Sequence, residues 1–444
     1  MKVRQNSFRV QSRRNVSGDS AGVLEGGRGG WRHGRRWLLV AMCCAGMAAG
    51  VAAQGISPGD LSRDGYKLPG GFEPVLQLRT YYFDQESLTG AQSDAWAIGG
   101  WAGLRSPWWG DLFQLGFVGY TSQKLYGPDD KDGTRLLAPG QEPITVLGEA
   151  FGAVRVLGQT VTAYRQLINR PFINPQDSRM VPNTFEAYTL TGSANQVSYT
   201  GGYITKKKNR ESESFVWMSN VAGGDGSQKG VIYAGGTWDF AKNGHIRMDE
   251  QYAVDVFNTF YVDGRYPIAI DDKTSVTLGA QYYPQTSVGD EQIGAFSTYG
   301  VGLQAGVTYG PVGGQLYYTQ TGRGYDTQAP FGSHASYLSL QISDFNTAGE
   351  KAWALGANVN FSSLGAPGLT ASAIYATSSD RINYASGSAI PDRSETDVRA
   401  DYAFGKGALL EGLVATLRYA WLRQDGSPQT QTQLRAIINY AVHF

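Results

Sequence analysis

Three observations predict an all-β fold, a transmembrane antiparallel β-barrel of about eighteen strands. The chain opens with an export signal, continues in short segments that alternate apolar and polar residues, and ends on an amphipathic strand closed by an aromatic residue. Composition agrees: of 444 residues 59 are Gly, 26 are Tyr and 12% are aromatic, while only 17% are charged. Aromatic content of that size argues against disorder. A mean hydropathy of −0.30 excludes a bundle of membrane-spanning helices.

The export signal comes first. Residues 37–53 read WLLVAMCCAGMAAGVAA, preceded by Arg32, Arg35 and Arg36 and closed by Val51 and Ala53 at the −3 and −1 positions before Gln54. Basic, apolar, then small is the pattern of a cleaved secretory signal. Residues 1–53 are therefore expected to be removed after Ala53, leaving 54–444 as the barrel. The basic stretch 1–36 is long for such a leader.

The whole chain carries 38 basic and 38 acidic residues, but nine basic and two acidic ones fall in the first 53. The remainder thus keeps 29 against 36, a net charge near −7, and loses both cysteines, Cys43 and Cys44. Thiol catalysis, disulfides and Cys-ligated metals are excluded with them. The acidic balance speaks against nucleic-acid binding. No cofactor is expected.

Period-two segments then follow in order near 74–82, 95–105, 111–122, 143–155, 159–167, 183–192, 196–206, 229–240 and 244–256. Nine more lie near 258–270, 273–283, 297–309, 312–321, 353–363, 368–378, 395–404, 411–423 and 432–444. In the first, Leu76 and Leu78 oppose Gln77 and Arg79. In 244–256, Ile246, Met248 and Tyr252 oppose Arg247, Asp249 and Gln251, with Glu250 breaking the apolar face. In 395–404, Val398, Ala400 and Tyr402 oppose Asp397, Arg399 and Asp401; in 411–423, Leu417, Tyr419 and Trp421 oppose Arg418. The last strand sets Leu434, Ala436, Ile438, Tyr440, Val442 and Phe444 against Arg435, Asn439 and His443. Long connections fall at 168–182, 207–228 and 322–352.

Alternation alone suits a soluble sandwich as well as a barrel. Export, aromatic residues near strand ends and the terminal Phe444 favour the barrel, because aromatic girdles mark membrane interfaces. The C-terminal pattern also resembles the signal read by the barrel-assembly machinery of bacterial outer membranes. Arg on a lipid face would cost about 2–4 kcal/mol at the midplane. Arg79, Arg247, Arg399, Arg418 and Arg435 are thereby assigned to the lumen, where guanidinium groups attract carboxylates.

The stretch 164–192, YRQLINRPFINPQDSRMVPNTFEAYTLTG, resembles the OprD-type family of substrate-selective outer-membrane porins, also called carboxylate channels. Further matches are GGYITKKKNRESESFVWMS at 201–219, SDFNTAGEKAWALG at 343–356, and ETDVRADYAF with TLRYAWL downstream. The resemblance spans essentially 72–444. It implies an eighteen-strand barrel, monomeric or weakly oligomeric, narrowed by inward-folded extracellular loops and lined by a basic ladder.

The resemblance also places Arg165 on the strand entering the constriction loop, Arg170 and Arg179 within it, and Ser343 and Asp344 near the narrow point of a second loop. Passive passage of small carboxylate solutes, organic acids or amino acids, is the expected function. The environment would be outer-membrane lipid and lipopolysaccharide, which the run Lys206 to Lys208 with Arg210 is expected to face. The alternative is an outer-membrane barrel hydrolase, a lipase or protease with a rim active site. Only His245, His334 and His443 remain after residue 53, and no GxSxG motif accompanies them.

Overall fold

The computed structural model describes residues 67–224 and 226–441. The leader, its cleavage after Ala53 and the terminal Phe444 lie outside the described residues. Nineteen strands form, eighteen of them a closed ring. In chain order these are β1 (Glu73–Glu86), β2 (Gln92–Arg105), β3 (Phe113–Tyr126), β4 (Ile144–Val156), β5 (Gln159–Gln166), β6 (Thr184–Ala194) and β7 (Val197–Lys208). They continue with β8 (Phe215–Trp217), β9 (Val231–Ala241), β10 (Gly244–Ala253), β11 (Phe257–Ala269), β12 (Thr274–Ser287) and β13 (Ser297–Tyr309). The last are β14 (Val312–Thr321), β15 (Lys351–Asn360), β16 (Leu369–Ser379), β17 (Arg393–Ala403), β18 (Leu413–Gln424) and β19 (Gln431–Ala441).

Each strand pairs antiparallel with its sequence neighbour, and β1 closes on β19 from Gln77↔Ala441 to Glu86↔Thr432. The short β8 is the exception. It pairs with Lys206–Lys208 of β7, beyond the point where β9 takes over at Ile204, and so stands outside the ring. The expected eighteen segments thus match the eighteen ring strands. Several boundaries differ by a few residues, β1 and β12 running on to Glu86 and Ser287; β10 stops at Ala253, where Asp255 takes a φ of 62° and turns the chain, leaving Val256 buried.

Alternation along the strands separates two environments. Outward residues such as Leu78, Phe117, Leu303, Trp353, Leu355 and Leu417 are about half exposed. A belt of exposed apolar side chains this extensive requires lipid rather than water. Among the described residues no helix is long and apolar enough to cross a membrane, so the strands do the crossing.

Short turns such as 157–158, 195–196 and 310–311 close one end. The other end carries loops numbered here L1 to L9. The long ones are L2 (127–143), L3 (167–183), L4 (209–230), L7 (322–350) and L8 (380–392). In outer-membrane barrels the long-loop end is extracellular. L3 and L7 fold into the lumen, which explains why many inward residues are buried. That interior is less uniformly polar than the sequence suggests: Tyr81, Phe83, Tyr120, Phe185 and Tyr317 point inward and are covered by loops.

Candidate functional site: a lumen narrowed by two loops

L3 is stiffened by Pro171, Pro175 and Pro182, each of which fixes φ and lacks a donor. Phe172 and Gln176 adopt φ of 60° and 44°, so the segment turns tightly across the barrel. Two bidentate ion pairs tie it to opposite walls. Arg79 of β1 donates through Nη1 and Nη2 to Asp177 at 2.6 and 3.0 Å, and its Nη1 also reaches the Arg179 carbonyl. Arg170 of L3 donates to both oxygens of Asp249 on β10 at 2.7 Å. Gly235 makes room for that second pair: a Cβ there would stand 2.2 Å from Asp249 Oδ1 and 2.9 Å from Arg170 Nη2.

L7 is held through its backbone. The Gln341 N–H donates to Asp397, while those of Ile342 and Ser343 donate to the two oxygens of Glu395, at 2.7–2.9 Å. Both carboxylates point into the lumen from β17. Arg435 of β19 adds a bond to the Gln341 carbonyl at 3.0 Å. At the far end of L7, Arg393 grips the fully buried Glu350 with bonds of 2.9 and 2.7 Å. Burial disfavours the Glu350 charge, yet Arg393 holds its carboxyl below the usual range.

The loops also hold each other. Asn174 of L3 accepts from the Ser333 N–H at 2.8 Å and donates to its carbonyl at 3.2 Å. His334 of L7 packs edge-on to Phe172 of L3 and Tyr283 of β12, with ring centres 5.1 and 5.7 Å away. Its Nε2 meets Thr327 Oγ1 at 2.8 Å, and its Nδ1 has no partner. Burial pushes its pKa below 6.5 against the pull of Asp344.

A cavity of about 410 Å³ remains beside these contacts, lined by arginines from four elements: Arg135 of L2, Arg179 of L3, Arg210 of L4 and Arg435 of β19. Asp344, Ser178, Ser339, Gln341 and Gln433 are among the other polar lining residues. Next to Arg435, cross-strand register places Arg418 of β18, and next to Arg418 the register places Arg399 of β17. Three arginines thus stand side by side on adjacent strands, an arrangement that like-charge repulsion disfavours. Arg399 is relieved by a bidentate bond to Asp401 at 2.6 and 2.8 Å. Arg135, Arg179, Arg418 and Arg435 have no carboxylate within 4.0 Å among the described residues. Burial, then Arg210, Arg435 and Arg135, holds the Arg179 pKa well below its ordinary value. Arg210 is lowered to about 10, first by burial, with Glu211 opposing and Arg135 and Arg435 adding to the fall.

The ten residues singled out in the sequence therefore separate. Arg179, Arg435 and Asp344 line the cavity, and Arg418 stands beside it in register. Arg79, Arg170 and Arg399 are paired, the first two anchoring L3. Arg247 faces the lumen on β10 with Asp263 4.0 Å away. Ser343 lies near the cavity but is turned inward, its hydroxyl accepting from the Phe345 N–H at 3.3 Å. Arg165 is elsewhere. It pairs with Glu186 at 3.2 Å on the outer face and stacks on Phe215 of β8, 4.1 Å from the ring centre.

The basic run that ends β7 also departs from expectation. A bulge between Glu186 and Ala187 shifts the pairing with β7, and Lys206 stands 3.5 Å from Glu186. Lys207 and Lys208 are buried and donate to the carbonyls of Pro330 in L7 and Pro182 in L3, both at 2.9 Å. Arg210 reaches the Ser178 hydroxyl of L3. Arg135 and Arg210 are site residues that sequence reasoning missed or misplaced. Neither lies in a strand, so no alternation could mark them.

The family described as "outer membrane porin, OprD family" matches residues 71–444. Porin D of Pseudomonas aeruginosa is 24% identical over 397 residues, covering 82% of this chain and 89% of its own length. Among solved structures, P. aeruginosa OpdK with vanillate superposes with a TM-score of 0.73 at 20% identity, over 82% of this chain and 97% of its own. A BenF-like porin from Pseudomonas fluorescens Pf-5 gives 0.74 at 17% identity, over 84% and 99%. These relatives are channels and not enzymes, which overturns the hydrolase alternative. With its closed ring of lipid-facing strands and its inward loops, the chain belongs to the OprD family of porins and is an integral protein of the bacterial outer membrane.

Proposed function

We propose that the protein passes small carboxylate-bearing solutes by diffusion through the cavity between L3, L7 and the β18–β19 wall. One observation carries this reading: Arg135, Arg179 and Arg435, with no carboxylate partner among the described residues, line that cavity, whereas Arg79, Arg170, Arg247 and Arg399 each have an acidic partner. An arginine paired with an aspartate has its donors filled by protein. One without an acidic partner keeps its charge uncompensated and some N–H groups available for a carboxylate, and Arg holds its charge at any physiological pH. Arg418 then offers a second weak site one strand away from Arg435, so a solute is handed on rather than trapped. OpdK was solved with vanillate, an aromatic carboxylate, which is consistent with the same chemistry in a relative of this fold.

Planar-bilayer recording of the purified protein tests the proposal. Discrete conductance steps with anion preference are expected, and Arg179→Glu and Arg435→Glu should each lower that preference. Unchanged selectivity in both variants removes these residues from the path.

A further inference from the structure

The charge balance of the cavity goes a step further, resting on the carboxylate reading above. Four guanidinium groups converge on it from L2, L3, L4 and β19. Two carboxylates stand against them: Asp344, engaged by the Ser339 hydroxyl, and Glu211, 3.9 Å from Arg210. The site is therefore two positive charges in excess. Three of the four arginines are also partly held by their own neighbours, Arg210 among them through the Ser178 hydroxyl. Arg435 spends Nη2 on the Gln341 carbonyl and Gln433 Oε1, and Arg179 spends Nε and Nη1 on the Thr134 and Ser178 carbonyls. A single carboxylate fills one fork and leaves an excess charge in a confined space, which is costly for a guanidinium as buried as Arg179 or Arg435. A solute with two carboxylates on a short spacer balances the excess and reaches two arginines at once. The cavity volume is within the range of small-molecule sites.

We propose that this cavity selects di- and tricarboxylates over monocarboxylates of similar length, with Arg135 and Arg210 as the residues that set the preference. These two are the added cations, supplied by loops above the wall arginine Arg435.

Succinate and butyrate share a four-carbon length and differ by one carboxylate, so they isolate valence. With the full-length channel in a planar bilayer at pH 7.5 and fixed ionic strength, succinate should interrupt current at a concentration lower by on the order of tenfold than butyrate, the scale at which a charged cleft concentrates a solute. Tricarballylate should act at least as strongly as succinate. In Arg135→Gln/Arg210→Gln the advantage of succinate should collapse, while Arg165→Gln on the outer face should keep it. Equal potency of butyrate and succinate overturns the proposal, as does an advantage that survives the double substitution. Indifference to both carboxylates in a channel without anion preference sinks the carboxylate reading itself, an outcome distinct from equal response to both.

Discussion

L3 meets the barrel wall through side chains, Asp177 on Arg79 and Arg170 on Asp249, whereas the 341–343 stretch of L7 meets it through backbone N–H groups received by Glu395 and Asp397. The first mode consumes one cation for each anion. The second occupies wall carboxylates with N–H groups, and Arg435 there meets only a carbonyl. Because L7 occupies Glu395 and Asp397 in this way, Arg435 and Arg418 on the adjacent strands are left without a bonded acid. The basic cavity is thus a by-product of how its opposite border is fastened.

Breaking a pin on either side should separate the two modes. The largest effect is expected for Arg79→Ala, which strands the buried Asp177 and should cost about 3–5 kcal/mol. Lowered thermal stability of the refolded barrel and new protease cleavage in L3 would show it, and adding Asp177→Ala should restore part of the loss. Glu395→Gln comes next. It leaves one carbonyl oxygen to receive two L7 N–H groups, at a cost of about 0.5–1.5 kcal/mol for the bond lost. Noisier open-channel current with L3 still protected from protease is the expected signature; simultaneous exposure of L3 would mean the two fastenings are not separate.

A third test loosens the contact between the loops. His334 ordinarily titrates near 6.5, and its nest pushes that value down, so the unfolded chain binds the proton more readily than the folded one. This contribution to stability is complete above about pH 6.5 and declines as pH falls through that value. Thermal melts between pH 7.5 and 5 should show the decline, and His334→Phe should flatten it. Smallest in stability is Arg418→Gln. Removing one of three neighbouring like charges should change stability by only about 0.2–1 kcal/mol, yet anion preference should fall. A large loss of stability would show that Arg418 is a structural residue after all.

The strands were readable because lipid and lumen impose a strict period of two, and segments such as 297–309 and 312–321 coincide with β13 and β14. Pairing was not readable. Asp177 and Arg79 are 98 residues apart, and Arg170 and Asp249 are 79 apart, so nothing local announces them. Arg165 was carried to the lumen by resemblance, although it shares the parity of the exposed Val161 and alternation alone would have placed it outside. Lys207 reads in the sequence as the start of the connection 207–228, facing lipopolysaccharide, because nothing local marks that β7 runs on past a bulge to Lys208.

Arg435 lies opposite Phe83 across the seam where the first strand meets the last. The row of arginines on β17, β18 and β19 therefore runs up to the joint between the first and last strands. Across this joint Arg435 of β19 comes beside β1, whose Arg79 holds L3 through Asp177 and the Arg179 carbonyl. The basic cavity is in this sense a reporter of completed assembly: an unclosed barrel can keep most of its strand pairs and still lack the site.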